Sequence, residues 1–165
     1  NALGVMPPFG RDDWDTLLEK LPAEVEAEWS AATESNRQGG PMRDLTYGEW
    51  SLFLVGLMHE AGVPFGAGTD TPIGFAAPGY SLHSELELLV RAGLSPLEAL
   101  EAATINPAEF FGLDAEMGTI ETGRVADLVL LTANPLDDIT NTRAIEAVVT
   151  KGQLLDRSAL NGLVN

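Results

Sequence analysis

The spacing of apolar residues divides the chain into three textures. Between Asp12 and Glu34 they recur at helical intervals, at Trp14, Leu17, Leu18 and Leu21, with a break at Pro22 and a second helical stretch from Ala23 to about Ala32. Both stretches are acidic and read as peripheral. Thr46 and Glu49 have capping-box spacing and predict a helix running through Leu52, Phe53, Val55, Gly56 and His59 to about Ala61, where Gly62 ends it. Val63 to Ala67 reads as a short apolar strand stopping at Gly68. A loop rich in Gly, Ala and Pro, read as small-lined and mobile, follows to about Ser81. His83 to Ala92 is a helix with Leu86, Leu89 and Val90 on one face. Ser95-Pro96-Leu97-Glu98 starts another, with a capping serine, a proline suited to the first turn and a glutamate completing the box. Asn106-Pro107 opens a further short helix. After residue 113 the period falls from 3.6 to 2. Thr119 to Glu121 reads as a β segment between Gly118 and Gly123, Val125 to Leu131 as a strand, and 145–150 with 153–156 as a hairpin across Lys151-Gly152. The tail after Ser158 carries no pattern.

The order is helix, strand, helices, then a small β module. Strands alternating with helices predict an α/β fold with a parallel sheet. A single parallel-type strand cannot make a sheet. Either the helical region packs mainly on itself, or the partner strands lie on another stretch of polypeptide.

Composition narrows the functions. With 45% hydrophobic residues in 165, a sizeable core is available. Twenty-five acidic against nine basic residues give a net charge of −16, which repels phosphate backbones and argues against nucleic-acid binding. There is no cysteine, so disulfides, thiolate metal sites and a thiol nucleophile are excluded, and a reducing cytoplasm fits. No apolar run reaches the roughly 18 residues that span a bilayer. The chain starts at Asn1 and is expected to be a piece of something longer.

Asp70 is the leading candidate for chemistry. It follows the apolar segment directly, on the glycine-flanked turn Gly68-Thr69-Asp70. In α/β barrels the C-terminal strand ends hold the active-site groups. A carboxylate there can bind a hard or borderline cation and take a proton from metal-bound water. The plainer reading is an aspartate capping the next turn. His83 and Glu85 come next, as a metal or substrate contact, although their spacing of two puts them on different helix faces. Their plainer reading is a helix-start histidine and a first-turn glutamate favoured by the helix dipole. His59, near a helix C-terminus, reads as structural, and Asp137-Asp138 as a solvated turn. Ser81, His83 and an aspartate could formally make a triad, but no Gly-x-Ser-x-Gly elbow is present.

From Gly62 to Gly152 the chain resembles the amidohydrolase superfamily, in its imidazolonepropionase-like and Xaa-Pro dipeptidase-like branch. Gly62-Val63-Pro64, Gly68-Thr69-Asp70 and His83-Ser84-Glu85-Leu86 carry the resemblance first. The segments 92–100 and 103–108, then 118–129 (Gly118-Thr119-Ile120-Glu121-Thr122-Gly123-Arg124-Val125-Ala126-Asp127-Leu128-Val129), then Asn134-Pro135-Leu136 continue it. Each is weak alone; the order and spacing of all seven are specific. The resemblance implies an α/β fold: the C-terminal fragment of a (β/α)8 amidohydrolase barrel plus the C-terminal part of its small β-sandwich domain. Residues 1–112 would be the last portion of the barrel, with 63–67 as its final strand, and 113–165 the sandwich segment. It implies that Asp70 is both metal ligand and proton shuttle, while Ala126-Asp127 is structural; His83 stays, on its own residue pattern, the candidate substrate contact.

The same resemblance implies a divalent metal, zinc, in the complete enzyme. The remaining ligands, a His-x-His pair, a carboxylated Lys or Glu and two further histidines, have no counterpart in this chain. The expectation is therefore that the chain by itself holds no catalytic metal tightly and is inactive. Its parent would be a cytoplasmic hydrolase of C–N bonds in small amide, peptide-like or cyclic amide substrates. The chain is expected either to self-associate or to meet the missing N-terminal barrel portion. Two alternatives stay open: a non-catalytic truncated protein acting as a structural or binding module, and a hydrolase or lyase using Asp70 and His83 without metal.

Overall fold

The computed structural model describes residues 6–71 and 75–163. They fall into two compact units, Asn1–Val63 with Ala67–Leu94, and Pro64–Gly66 with Ser95–Asn165.

The first unit contains four helices: α1 (Trp14–Leu18), α2 (Ala23–Arg37), α3 (Thr46–Glu60) and α4 (Ser81–Arg91). The apolar spacing seen in the sequence puts Trp14 and Leu17 inside, where they bury against Ala77 with Trp29, Phe75 and Tyr80 around them. Trp29 of α2 stacks on Trp14 with ring centroids 5.9 Å apart. A second cluster gathers Met6, Leu52, Ala76 and Leu88. The consecutive residues Ala76 and Ala77 thus supply the two clusters, so the loop before α4 is a seam between them.

Two helix starts differ from the sequence reading. Thr46 and Glu49 do not form a capping box: the Asp44 carboxylate accepts from the Thr46 amide at 3.0 Å, and Glu49 pairs with Arg91 of α4 instead. Aspartate two residues ahead of the free amide makes the shorter connection, which leaves Glu49 available for a partner on another helix. Helix α4 begins at Ser81 rather than His83, because the Ser81 hydroxyl accepts the Ala77 amide at 2.8 Å and fastens the loop end to the helix. Glu85 is consequently past the first turn, and it is 2% exposed.

The second unit holds α5 (Pro96–Ala102), α6 (Ile105–Phe110), an antiparallel sheet of β1 (Leu128–Leu131), β2 (Ile145–Thr150) and β3 (Gln153–Leu155), and α7 (Arg157–Gly162). The Ser95/Glu98 capping box forms, with the Ser95 hydroxyl accepting from the Glu98 amide and the Glu98 carboxylate accepting from the Ser95 amide. Strand β1 pairs with β2 in the register Leu128↔Val149 to Leu130↔Ala147, with an irregularity before Leu131. The β2–β3 turn places Lys151 (φ 50°) and Gly152 (φ 79°) in the left-handed region that tight hairpins require. Asp127 reaches this turn and accepts the Lys151 amide at 2.6 Å. Its role is therefore structural, as the resemblance implied.

Helices α3, α4 and α6 end alike. Gly62, Gly93 and Gly112 each take positive φ, and the residue after each donates back to the carbonyl five positions earlier.

Three further expectations are corrected in this region. Residues 63–67 form no strand among the described residues, because a strand exists only through a neighbour's backbone groups and none is supplied here. Instead the Asn106 side-chain amide donates to the Phe65 carbonyl at 3.0 Å. Thr119 to Glu121 is likewise no strand. The Thr119 hydroxyl turns onto the Glu121 carboxylate at 3.0 Å, and the Val125 amide closes the loop on the Glu116 carbonyl at 2.8 Å. The tail, patternless in sequence, carries α7, capped by the Asp156 carboxylate on the Ala159 amide at 2.9 Å.

Candidate active site

Asp70 sits exposed on its turn with φ 56°. A non-glycine residue in this region costs on the order of 1 kcal/mol and persists where surrounding structure over-determines it. Aspartate is among the residues that tolerate it best. The hydroxyls of Thr69 and Thr71, on either side, hydrogen-bond each other at 2.7 Å, closing the turn beneath the carboxylate. The carboxylate of Asp70 is thereby presented to solvent on a backbone that is locally constrained.

The loop that follows is anchored at its far end. Phe75 also has positive φ, 65°. Its carbonyl accepts from Nη1 of Arg11 at 2.8 Å, and its ring meets Trp14 and Trp29 edge-on at centroid distances of 5.6 Å. Arg11 is 6% exposed. Nη2 of the same guanidinium donates to the Ser84 hydroxyl at 3.3 Å, Nε lies 3.4 Å from the Asp13 carboxylate, and the guanidinium carbon stands 5.3 Å over the Trp14 ring. The Ser84 hydroxyl donates to Asp13, completing the group. Residues 75–77 are therefore held in place, where the composition of the loop suggested mobility. Small side chains let Ala76 and Ala77 sink into the two clusters of the first unit, and the Phe75 ring packs against one of them.

His83 lies half-buried in the first turn of α4, directly before Ser84. His59 lies in the last turn of α3. Asp137 and Asp138 are exposed. The Asp138 carboxylate accepts from the amide and hydroxyl of Thr140, and these bonds hold it below the usual carboxylate range. Glu121 is lowered too, first by the Thr119 hydroxyl and then by Arg124. Both groups are exposed and serve turns.

As to a metal, Asp70 offers one hard oxygen donor. Among the described residues, no three His, Cys, Asp or Glu side chains gather into a group that could hold an ion. The donors among the described residues do not by themselves fit a metal centre. What sequence reasoning missed is the Arg11–Asp13–Ser84 group. Its members are scattered in sequence, and the only local hint was an arginine and two aspartates just before a helix.

Residues 53–155, more than half of the chain, match the family model described as amidohydrolase family. The chain belongs to the amidohydrolase family. It is 41% identical over 75 residues to an imidazolonepropionase from Symbiobacterium thermophilum, a stretch that is 45% of this chain and 17% of that protein. Among solved structures, a bottromycin amidohydrolase aligns with TM-score 0.70 at 26% identity, over 98% of this chain and 36% of the other. A Xaa-Pro dipeptidase aligns with TM-score 0.65 at 23% identity, over 80% of this chain and 33% of the other, a likeness of fold. The chain spans about a sixth of the length of the curated relatives it matches. The family fold is a (β/α)8 barrel and its members generally use divalent metals; this chain is a partial α/β piece of that architecture. No helix among the described residues is long and apolar enough to cross a membrane.

Proposed function

We propose that this amidohydrolase chain is the closing part of a hydrolase acting on C–N bonds of small amide, peptide-like or cyclic amide substrates, with Asp70 as its proton-transfer residue. The observation that carries the reading is Asp70 itself: an exposed carboxylate held at φ 56° on a hydroxyl-braced turn, inside the segment that matches the family. A carboxylate so placed can take a proton from an attacking water and return it to the departing nitrogen. His83, in the first turn of the helix that ends the loop, would contact substrate. The imidazolonepropionase relative supports a cyclic amide within this substrate range.

In this reading residues 1–112 close the barrel and 113–165 contribute to the β-sandwich. A divalent metal, zinc, would be held in the complete enzyme by Asp70 together with ligands outside this chain, and would activate the water. The chain by itself is then inactive. Exposed apolar side chains along α3, among them Tyr47 (63%), Trp50 (54%), Phe53 (63%) and Leu57 (45%), favour contact with further polypeptide, either the rest of the barrel or a second copy. The acidic surface argues against nucleic acid, and the cytoplasm is the compartment we assign.

The test compares the 165-residue chain with the full-length protein containing it. Zinc binding by titration and hydrolysis of a panel of dipeptides, N-acyl amino acids and cyclic amides are measured for both. The proposal expects both properties in the full-length protein and neither in the chain. A tight stoichiometric zinc site in the short chain, or no hydrolysis by the long one, would overturn it. The α3 face also keeps a second reading in view, a non-catalytic binding module, which requires the full-length protein to stay inert on the whole panel.

A further inference from the structure

Arg11 and Phe75 are 64 positions apart in the sequence, and Arg11 and Ser84 are 73 apart. One buried guanidinium therefore joins three separate pieces of chain: the segment before α1, the loop after the Asp70 turn, and α4 beside His83. The planar fork is suited to this, since its nitrogens point at several acceptors at once. Its placement is specific. It grips the carbonyl of Phe75, whose positive φ needs outside support, while the Trp14 and Trp29 rings hold the Phe75 side chain. Only a short stretch separates Phe75 from Asp70, which is itself left-handed. Asp13 balances the charge and orients Ser84 at the same time.

We propose that Arg11, steadied by Asp13 and Ser84, is a positioning residue that fixes the Asp70 turn relative to His83. One end of the loop carries Asp70, and Arg11 pins the other end to α4. With Phe75 held, Asp70 lies five positions before a fixed point of the chain, and its distance from that point is bounded by the reach of five residues. Without it, the loop end keeps the bonds between Ala77 and Ser81 and the apolar contacts of Phe75, Ala76 and Ala77, but the Phe75 carbonyl loses the guanidinium that holds it. The kinetic part of this inference rests on the hydrolase reading above; the structural part does not.

Arg11→Gln and Ser84→Ala are tested in the full-length protein, beside Leu17→Ala. Leu17 is fully buried in the same aromatic cluster, so its truncation weakens that core without removing Asp13, Ser84 or the Phe75 carbonyl from Arg11. Hydrogen exchange of the backbone around residues 67–80 is the first readout. Arg11→Gln is expected to speed it about tenfold, Ser84→Ala about threefold, and Leu17→Ala much less at a temperature well below its melting point. The second readout is kcat against KM. Arg11→Gln is expected to lower kcat about tenfold or more with KM within about threefold and metal content unchanged, because a misplaced group costs rate rather than binding. Leu17→Ala is expected to keep kcat. Equal effects of Arg11→Gln and Leu17→Ala on loop exchange, or no effect of Arg11→Gln, would overturn the proposal. If Arg11→Gln does not fold, Ser84→Ala against Leu17→Ala decides the same question. If the wild-type protein hydrolyses nothing, the hydrolase reading fails, while the exchange comparison still judges the clamp.

Discussion

The stretch from 67 to 94 and the stretch from 95 to 156 are stabilised in opposite ways. In the first, the decisive bonds run to the start of the chain, across 64, 71 and 73 positions. In the second, they span three positions at Ser95 and Glu98, two at Asp138 and Thr140, and 24 from Asp127 to Lys151. The first kind holds Phe75 and the start of α4 to the segment before α1. The second kind builds a scaffold from self-contained turns. Under the proposed function, a candidate turn followed by a segment held from afar fits the usual division between positioned loops and rigid support.

The sharpest way to break this contrast is at Asp70. In the full-length protein, Asp70→Asn is expected to lower kcat about a hundred- to ten-thousandfold, the ordinary range for losing a general acid–base group. Thermal stability should hardly change, since the side chain is exposed and asparagine also tolerates positive φ. A large drop in melting temperature with activity retained would make Asp70 a scaffold residue like those after 95.

The same contrast explains what could be read from the sequence. Ser95-Pro96-Leu97-Glu98 announced its helix correctly because cap, first-turn proline and glutamate all act within one turn. Gly62 announced the end of α3 for the same reason. The hairpin was legible from its period and its Lys151-Gly152 turn. Thr46 and Glu49 had the right spacing and failed, because Asp44 and Arg91 offered them better partners, one of them 42 residues away. Residues 63–67 had a strand's composition, but pairing depends on a neighbour that composition cannot supply. In the candidate site, Asp70 and His83 stood out as chemistry beside an apolar segment. Arg11, Asp13 and Ser84 did not, since nothing local marks an arginine that will be buried against a distant carbonyl.

Next in size is Gly118, which tests how rigid the local scaffold is. Its φ is 99°, and an added Cβ would stand 3.0 Å from the Ala108 Cβ and 3.0 Å from the Ile105 Cα. Gly118→Ala therefore combines backbone strain with overpacking, for about 3 kcal/mol of lost stability. Urea unfolding would show it as a lower midpoint. A loss below about 1 kcal/mol would mean that the turn 113–125 yields easily, contrary to a rigid scaffold.

A paired comparison of helix starts comes third. Ser95→Ala should cost about 1 kcal/mol, the ordinary value of an N-cap, while Thr46→Ala should cost only a few tenths because its hydroxyl caps nothing. Asp44→Ala should exceed Thr46→Ala, since the Asp44 carboxylate is the one accepting the amide. Equal costs for Ser95→Ala and Thr46→Ala in melting experiments would show that the two starts are capped alike.

The smallest effect concerns pH. The Thr119 hydroxyl, and after it Arg124, hold the Glu121 carboxyl below its ordinary value of 4.5, and Thr140 holds Asp138 below 3.8. A carboxyl lowered on folding stabilises the native state when ionised. Its contribution is complete above the unfolded value and is lost as pH falls through the folded one. For Glu121 the loss therefore begins below pH 4.5, and for Asp138 below 3.8. Both groups are fully exposed, so solvent and salt screen the effect strongly. Glu121→Gln should leave the melting temperature nearly unchanged relative to wild type at acid pH, where the wild-type carboxyl is already protonated. It should fall slightly below wild type at neutral pH, with the gap shrinking in high salt. A gap that widens as pH falls would reverse the sign, and would mean that the Thr119–Glu121–Arg124 turn is not held by an ionised carboxylate.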